Sequence, residues 1–298
     1  MPLARPGRVV AVLLNKQPLP TGVSSLNLPK VGGGTVVGVQ QTQNTQIANT
    51  DMQTTSVSSG ITTIAGQQIV SLQLISQSGV PLDKIILGDL AFDYAKQLDL
   101  QVVTGTGANG QLRALENGAS VGTTAFTTAS PAFVSTTSAN SFYNSLIRAV
   151  NAIAVGRYLP AQQIVMTPTR WNWCQEALDT ATRPMILSSG SAFNAPGISS
   201  TEPTAEGASG TLLNLPVFVA NSLPSNHGTG TNADEVIVLR GSDVFLYEGE
   251  LALESFDATY ANQASILLRA LNFVGMIPDR WSASVNLVNG TGLVAPTL

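Results

Sequence analysis

Residues 105–110, GTGANG, match letter for letter the G-x-G-x-x-G spacing that lets a backbone approach a dinucleotide pyrophosphate. That chemistry needs a strand before the loop and a helix after it, so that the phosphates meet a helix N-terminus. Here a helical pattern precedes the loop and Gly118 interrupts the segment after it, so a nucleotide-binding enzyme using this loop is a remote alternative. The single histidine, His227, lies in the turn-like run PSNHGTG at 224–230, with no nucleophile or orienting acid close to it in sequence, and is expected to be a surface loop residue. Glu248, Glu250 and Glu254 alternate at strand spacing and could hold a cation, although a solvated or inter-subunit face suits them better. One cysteine, Cys174, excludes an intramolecular disulfide framework and a cysteine-based zinc cluster, and reads as a small hydrophobe. No catalytic residue, cofactor or metal is expected.

The elements around these residues follow from periodicity and punctuation. Pro2, Pro6, Pro18, Pro20 and Pro29 predict an extended, non-helical arm over 1–30. Within it the apolar run 9–14, behind Arg5 and Arg8, imitates a secretion signal but is too short and lacks a cleavage site. After Gly32, Gly33 and Gly34 come β-formers at 35–39, 54–57 and 61–64, which predict a long hairpin with its tip near 49–53. Residues 69–75 alternate as a half-buried strand. Pro81 then suits a first helical turn, and Leu82, Ile85, Ile86, Leu90, Tyr94 and Leu98 fall at helical spacing over 82–98, a helix of about 25 Å. A second helix is expected over about 138–155, starting near Ser138, burying Phe142, Leu146, Val150 and Ile153 and stopping at Gly156. Residues 163–166 read as a short buried strand. Thr167 and Pro168 then cap and open a third helix in which Trp171, Cys174 and Leu178 share a face. Residues 184–214 read as loop, and strands return at 217–219, 236–239, 244–247 and 265–274. Helices and strands mixed without βαβ regularity predict an α+β fold.

Composition narrows the function. Charged residues make up 11% of the 298, against roughly 25% in an average soluble protein. Between Val31 and Leu82 the one charged side chain is Asp51, and between Pro184 and Ala233 there are two, Glu202 and Glu206. Disorder usually pairs low hydrophobicity with high net charge. With 44% hydrophobic residues and a net charge of −4, this chain fits better a folded protein whose uncharged surface is covered by neighbours. The same charge and a pI near 4.9 argue against gripping nucleic acid, while enclosing it remains compatible. No run approaches the roughly 20 apolar residues of a membrane span, so no membrane partner is expected.

In its order of arm, uncharged hairpin, long helix, glycine-rich loop, helix, strand, helix and late strands, the chain resembles the tailed-bacteriophage major capsid proteins of the Hong Kong ninety-seven type. The loop 104–118, the strand-to-helix step IVMTPTRW at 164–171, the LNLPV step at 213–217 and the long strand 265–278 are similar to that family's corresponding segments. The resemblance implies an N-terminal arm (1–30), an E-loop hairpin (31–68), and a peripheral P-domain with spine helix and glycine-rich loop (69–135). A mainly axial A-domain with P-domain segments (136–250) and late P-domain strands to the C-terminus (251–298) complete it.

The function it implies is self-assembly of pentamers and hexamers into an icosahedral shell around double-stranded phage DNA, found in the virion and built in the host cytoplasm. Portal and decoration proteins are possible partners. Because Met1 stands almost at the arm, scaffolding is expected to be separate or missing. An encapsulin-type nanocompartment with the same fold is the alternative. The assembly residues implied are Asp51 and Met52 at the hairpin tip, Leu82, Ile86 and Leu90 on the spine helix, and Asn262, which matches the asparagine that some members cross-link to an E-loop lysine. Read over 31–68, the hairpin holds no lysine, so cohesion is expected to be non-covalent.

Overall fold

The apolar run expected to extend instead winds into a single helical turn, α1, Val10–Leu13, because a buried carboxylate meets its amides. Ala11 N donates to Asp99 Oδ1 at 2.8 Å, the Val9 and Val10 amides also donate to this carboxylate, and the Ser222 hydroxyl donates to its other oxygen. The computed structural model that shows this describes residues 7–47, 49–79, 81–128, 132–135, 141–179, 182–186, 208–228 and 230–296. Val9, Val10, Ala11 and Leu14 lie in the core, so this part of the expected arm is folded into the subunit.

Strand β1, Asn15–Pro18, comes next, and then a two-stranded antiparallel ribbon of β2, Ser25–Gly33, and β3, Gln53–Gly60. The hairpin therefore begins inside the expected arm and includes Lys30, which corrects the reading that it holds no lysine. Pro29 is tolerated because both strands of a ribbon are edges. No strand forms among the described residues 34–52, where Gly34 and Gly38 weaken β structure and no partner strand lies alongside. The segment expected to close the hairpin, 61–64, belongs to β4, Thr62–Ser71, in the main sheet. After β4 the expected strand 69–75 turns into a short helix, α2, Leu72–Gln77, with Leu72 and Leu74 exposed.

The long helix α3 runs Leu82–Thr104, 23 residues or about 35 Å, past the expected end at 98. Beyond it come β5, Gly122–Ala125; α4, Phe142–Arg157; β6, Gln163–Met166; and α5, Pro168–Glu176. The expected start of α4 near Ser138 lies outside the described residues. Ser141 caps this helix by accepting from Asn144 N, and the helix runs through Gly156 to end at left-handed Tyr158. Thr167 and Pro168 open α5 as expected, but the helix stops before Leu178, which is 53% exposed. The loop expected over 184–214 contains β7, Ala208–Leu212, while residues 187–207 are outside the described ones. Leu213 and Asn214, both at positive φ, make the two-residue turn into β8, Leu215–Val219. The chain ends with β9, Val236–Leu239; β10, Phe245–Glu248; β11, Ala252–Tyr260; β12, Ser265–Ile277; and β13, Val285–Asn289.

Two sheets organise the subunit. In the first, the 13-residue β12 pairs antiparallel with β4 over residues 265–274 and with β10 and β11, and β10 carries β1 in parallel. The second has the order β5-β13-β9-β6-β8-β7. Its central strands are buried on both sides, which is why 236–239 reads as an unbroken apolar run. Ile237, Leu239, Val165 and Leu287 face a core shared with α1 and α3, whereas Val236, Val238, Ile164, Met166 and Val288 face a second core with α4 and α5. This α+β arrangement, not a doubly wound one, is what the mixed element order predicts.

Glu248, expected on a solvated or inter-subunit face, is a buried junction. Arg8 Nη1 and Nη2 donate to its two oxygens at 2.9 and 2.8 Å, Lys16 Nζ lies 2.7 Å from Oε2, and the Tyr94 hydroxyl donates to Oε1 at 2.8 Å. Tyr94 in turn accepts from Asn272 Nδ2 at 2.7 Å. One carboxylate thus joins the N-terminal segment, α3, β10 and β12. Its neighbour in the alternating series, Glu254, pairs across the sheet with Arg269 at 2.6 Å, and Glu250 is exposed.

Burial pushes the Glu248 carboxyl up, but Arg8, Lys16 and Tyr94 outweigh it and hold it at about 2. Because this folded value lies below the ordinary 4.5, the junction stabilises the fold fully above that pH and its contribution disappears as pH falls towards 2. Glu248→Gln is therefore expected to cost about 3 kcal/mol near neutral pH, leaving Arg8 without its charge partner. In urea denaturation the gap between wild type and variant should narrow between pH 4.5 and 2. A gap of constant size across that window would contradict this role.

Candidate assembly surfaces

The segment after β2 carries several exposed apolar side chains. Val37 and Val39 are 96% and 94% exposed, Ile47, Met52 and Val36 are also exposed, and Asp51 is the one charge between Val31 and Leu82. Asp51 and Met52 lie immediately before β3, exposed, near where the tip was expected. A two-stranded ribbon is marginal on its own. It is fastened instead at its base, where buried Leu26 lies directly over Gly275 of β12 and a Cβ there would come within 2.4 Å of Leu26 Cδ1, and further along, where Lys30 Nζ reaches the Asp279 carbonyl at 3.4 Å.

The long helix α3 has two characters. Its C-terminal half, with Tyr94, Leu98, Val102 and Val103, is buried in the first core. In its N-terminal half Leu82, Ile86 and Leu90 are only half-buried and Phe92 is exposed. Leu90 packs over Gly66 of β4, 3.5 Å from where a Cβ there would stand, beside a small cleft of about 60 Å³ that Ile64, Tyr94 and Ala270 help to line. The structure thus separates Asp51 and Met52 on the ribbon, the three apolar residues on α3, and Asn262 in an exposed turn between β11 and β12. It does not bring them into one site within a subunit.

The loop 105–110 sits at the C-terminal end of α3, where the macrodipole disfavours a phosphate. Gly105 N donates to Gln101 O at 3.1 Å to close the helix, and Gly107 N to Leu112 O at 2.8 Å to close the loop. A Cβ on Gly105 would lie 2.3 Å from the Leu112 carbonyl oxygen, so this glycine serves a close backbone approach. Cys174 is fully buried, and burial pushes its thiol up to about 12, which leaves no thiolate for nucleophilic chemistry. Arg170 and Asp234 form a bidentate pair in the second core, Nε to Oδ2 at 2.9 Å and Nη2 to Oδ1 at 2.7 Å, and Arg170 also binds the Val294 carbonyl. These groups hold the molecule together. His227 is half-buried beside Glu116, which is distant in sequence, and Glu235, eight residues on, and is not the isolated surface residue expected. Among the described residues no helix is long and apolar enough to cross a membrane.

Comparison with known proteins agrees with this arrangement. The model of the phage capsid family matches residues 7–283. Among solved structures, the capsid of a native GTA particle superposes with a TM-score of 0.74 at 16% identity, covering 97% of this chain and 92% of that one. A structure of Mycobacterium phage Bobi gives 0.70 at 13%, with the same coverages of 97% and 92%. One of Mycobacterium phage Adephagia gives 0.70 at 12%, covering 99% and 93%. A search of curated protein sequences finds no match.

Leu90→Asp places a charge where α3 meets β4, and a cost of about 2–4 kcal/mol is expected. Soluble yield and assembled particles, compared with wild type by sedimentation, should both fall severalfold. Normal yields of both would show that this contact does not support the subunit.

Proposed function

The chain belongs to the phage capsid family, and we propose that its work is symmetric self-association, as pentamers and hexamers of an icosahedral shell around double-stranded DNA. It is a structural protein of the virion shell, not an enzyme. In the proposed assembly the ribbon of each subunit lies on a neighbour. The observation that carries this reading is the bare segment between the two ribbon strands: apolar side chains such as Val37 and Val39 stand almost wholly in solvent, and Asp51 is the one charge there. Covering them contributes about 1.5 kcal/mol per side chain, and few charges need to be desolvated in doing so. Asp51, Met52, Leu82, Ile86, Leu90 and Asn262 are the proposed contact residues.

A net charge of −4 suits a wall that encloses DNA without gripping it, because tight binding needs many cationic phosphate contacts. Assembly in the host cytoplasm with a separate scaffolding protein, a portal and decoration proteins completes the proposal. Cohesion is non-covalent. Lys30, the lysine of the ribbon, is opposite Thr55 and is engaged by the Asp279 carbonyl, whereas the remaining lysines are Lys16, Lys84 and Lys96. The proposed forces are hydrogen bonds of Thr, Gln and Asn, each about 0.5–1.5 kcal/mol net, together with apolar contacts.

Two measurements test this. Sedimentation of the purified chain at high concentration should show pentamers, hexamers or shells, and electron microscopy should show closed particles once assembly conditions are met; a persistent monomer would contradict the proposal. Particles filled with a protein cargo instead of nucleic acid would favour an encapsulin-like role. Boiled in SDS with reductant, mature particles should give one band near 31.0 kDa. A ladder of multimers would establish covalent cross-linking and overturn non-covalent cohesion.

A further inference from the structure

Polar side chains from two distant parts of the sequence converge where the end of the spine-helix loop meets the second sheet. Glu116, His227 and Glu235 each offer a ligand atom, and these atoms all lie within 4.8 Å of one another. Glu116 Oε1, His227 Nε2 and Glu235 Oε1 are all shielded from solvent, and none has a hydrogen-bond partner among the described residues. Glu235 is 3% exposed, so its carboxylate oxygen is an unpartnered polar atom deep in the protein. Leaving such an atom unsatisfied is costly. The buried guanidinium of Arg170 is committed to the adjacent Asp234, both of whose oxygens it engages.

The backbone holds the three in place. Leu115 N and Glu116 N donate to the Val102 and Val103 carbonyls, which lay this segment along the end of α3. His227 exchanges both backbone hydrogen bonds with Ala233, at 2.9 and 3.1 Å, closing the turn that carries it. Glu235 immediately precedes β9, and Asp234 N donates to Leu293 O at 2.9 Å.

We propose that Glu116, His227 and Glu235 form a binding site for one divalent transition-metal ion of the zinc or manganese type. One imidazole with two carboxylates is a donor set of that class, whereas calcium and magnesium favour oxygen alone. Ligands about 2.1 Å from a tetrahedral ion stand about 3.4 Å apart, and His227 Nε2 lies 3.5 Å from Glu116 Oε1. In the tautomer with its proton on Nδ1, His227 presents the Nε2 lone pair to the site.

Electrostatics agree with the geometry. Burial pushes the Glu116 carboxyl up to about 7; burial and then the neighbouring charge of Glu116 push Glu235 up to about 8, and burial moves His227 down. Two carboxylates held this close in a desolvated place are relieved either by a proton or by a positive ion, and a neutral imidazole with its proton on Nδ1 supplies neither to the site. The ion would clip the segment after the spine helix to the second sheet.

The test is zinc binding to the untagged full chain, stripped with EDTA and titrated with zinc sulfate near neutral pH by isothermal calorimetry. One ion per chain with micromolar or tighter affinity is expected. Because His227 is the chain's single histidine, X-ray absorption of the zinc-loaded protein identifies its ligand directly: one imidazole nitrogen with oxygen neighbours is expected. Glu235→Gln and His227→Gln should each weaken binding at least tenfold, since even changes in the outer shell cost about 10–100-fold. If the first variant does not fold, the partly exposed second decides. No saturable binding, no imidazole signal, or unchanged affinity in His227→Gln overturns the proposal, including the case in which the two carboxyls simply share a proton.

Discussion

Glu248 is the point on which the subunit's geometry depends. The N-terminal segment must stay against the first sheet for the ribbon to leave in a defined direction, since β1 precedes β2 by only a short turn. Arg8 and Lys16 flank that segment, and both meet this carboxylate, while Tyr94 brings the spine helix and Asn272 brings β12. Asp99 repeats the device five residues beyond Tyr94 along α3 by receiving the amides around α1. Both are buried carboxylates with several donors, and such groups impose one geometry because every alternative leaves donors or charge unpaired.

This explains how a chain with so few charges uses them. Glu248, Asp99, Asp279 and the Arg170–Asp234 pair are all buried, in positions that join elements distant in sequence. The ribbon surface is left almost without charge. The chain exposes 16896 Å² where a compact monomer of its mass would expose about 12,000 Å². A surface of that size with so little charge favours contact with neighbours, and the fixed interior sets the angle at which the ribbon meets them.

The α+β class, the helices α3, α4 and α5 and the central strands were legible in the sequence because 3.6-residue and unbroken apolar patterns survive without tertiary context. The Thr167 cap, with proline behind it, was legible for the same local reason. The misread elements depend on partners that are far apart in the chain. Residues 9–14 become helical because Asp99 receives their amides, and Leu72 and Leu74 alternate like a strand yet belong to α2. Strand β2 looked like arm because its pairing with β3 spans the residues between them. His227 looked isolated because Glu116 reaches it only through the fold, and because Glu235, eight residues on, is brought back to it by a turn that His227 and Ala233 close through their backbones, which side-chain patterns do not reveal. The positions proposed for assembly were read largely through resemblance, since a contact between copies leaves composition as its trace, here the missing charge.

Hydrogen–deuterium exchange of residues 25–60, compared between shells and dissociated subunits under identical solvent conditions, tests the central claim most directly. The account predicts rapid exchange through this region in free subunits and slowing of at least tenfold in shells, strongest around 34–47, where few side chains are covered within the subunit. Equal exchange in the two states would mean that the ribbon stays uncovered after assembly, and would contradict the account.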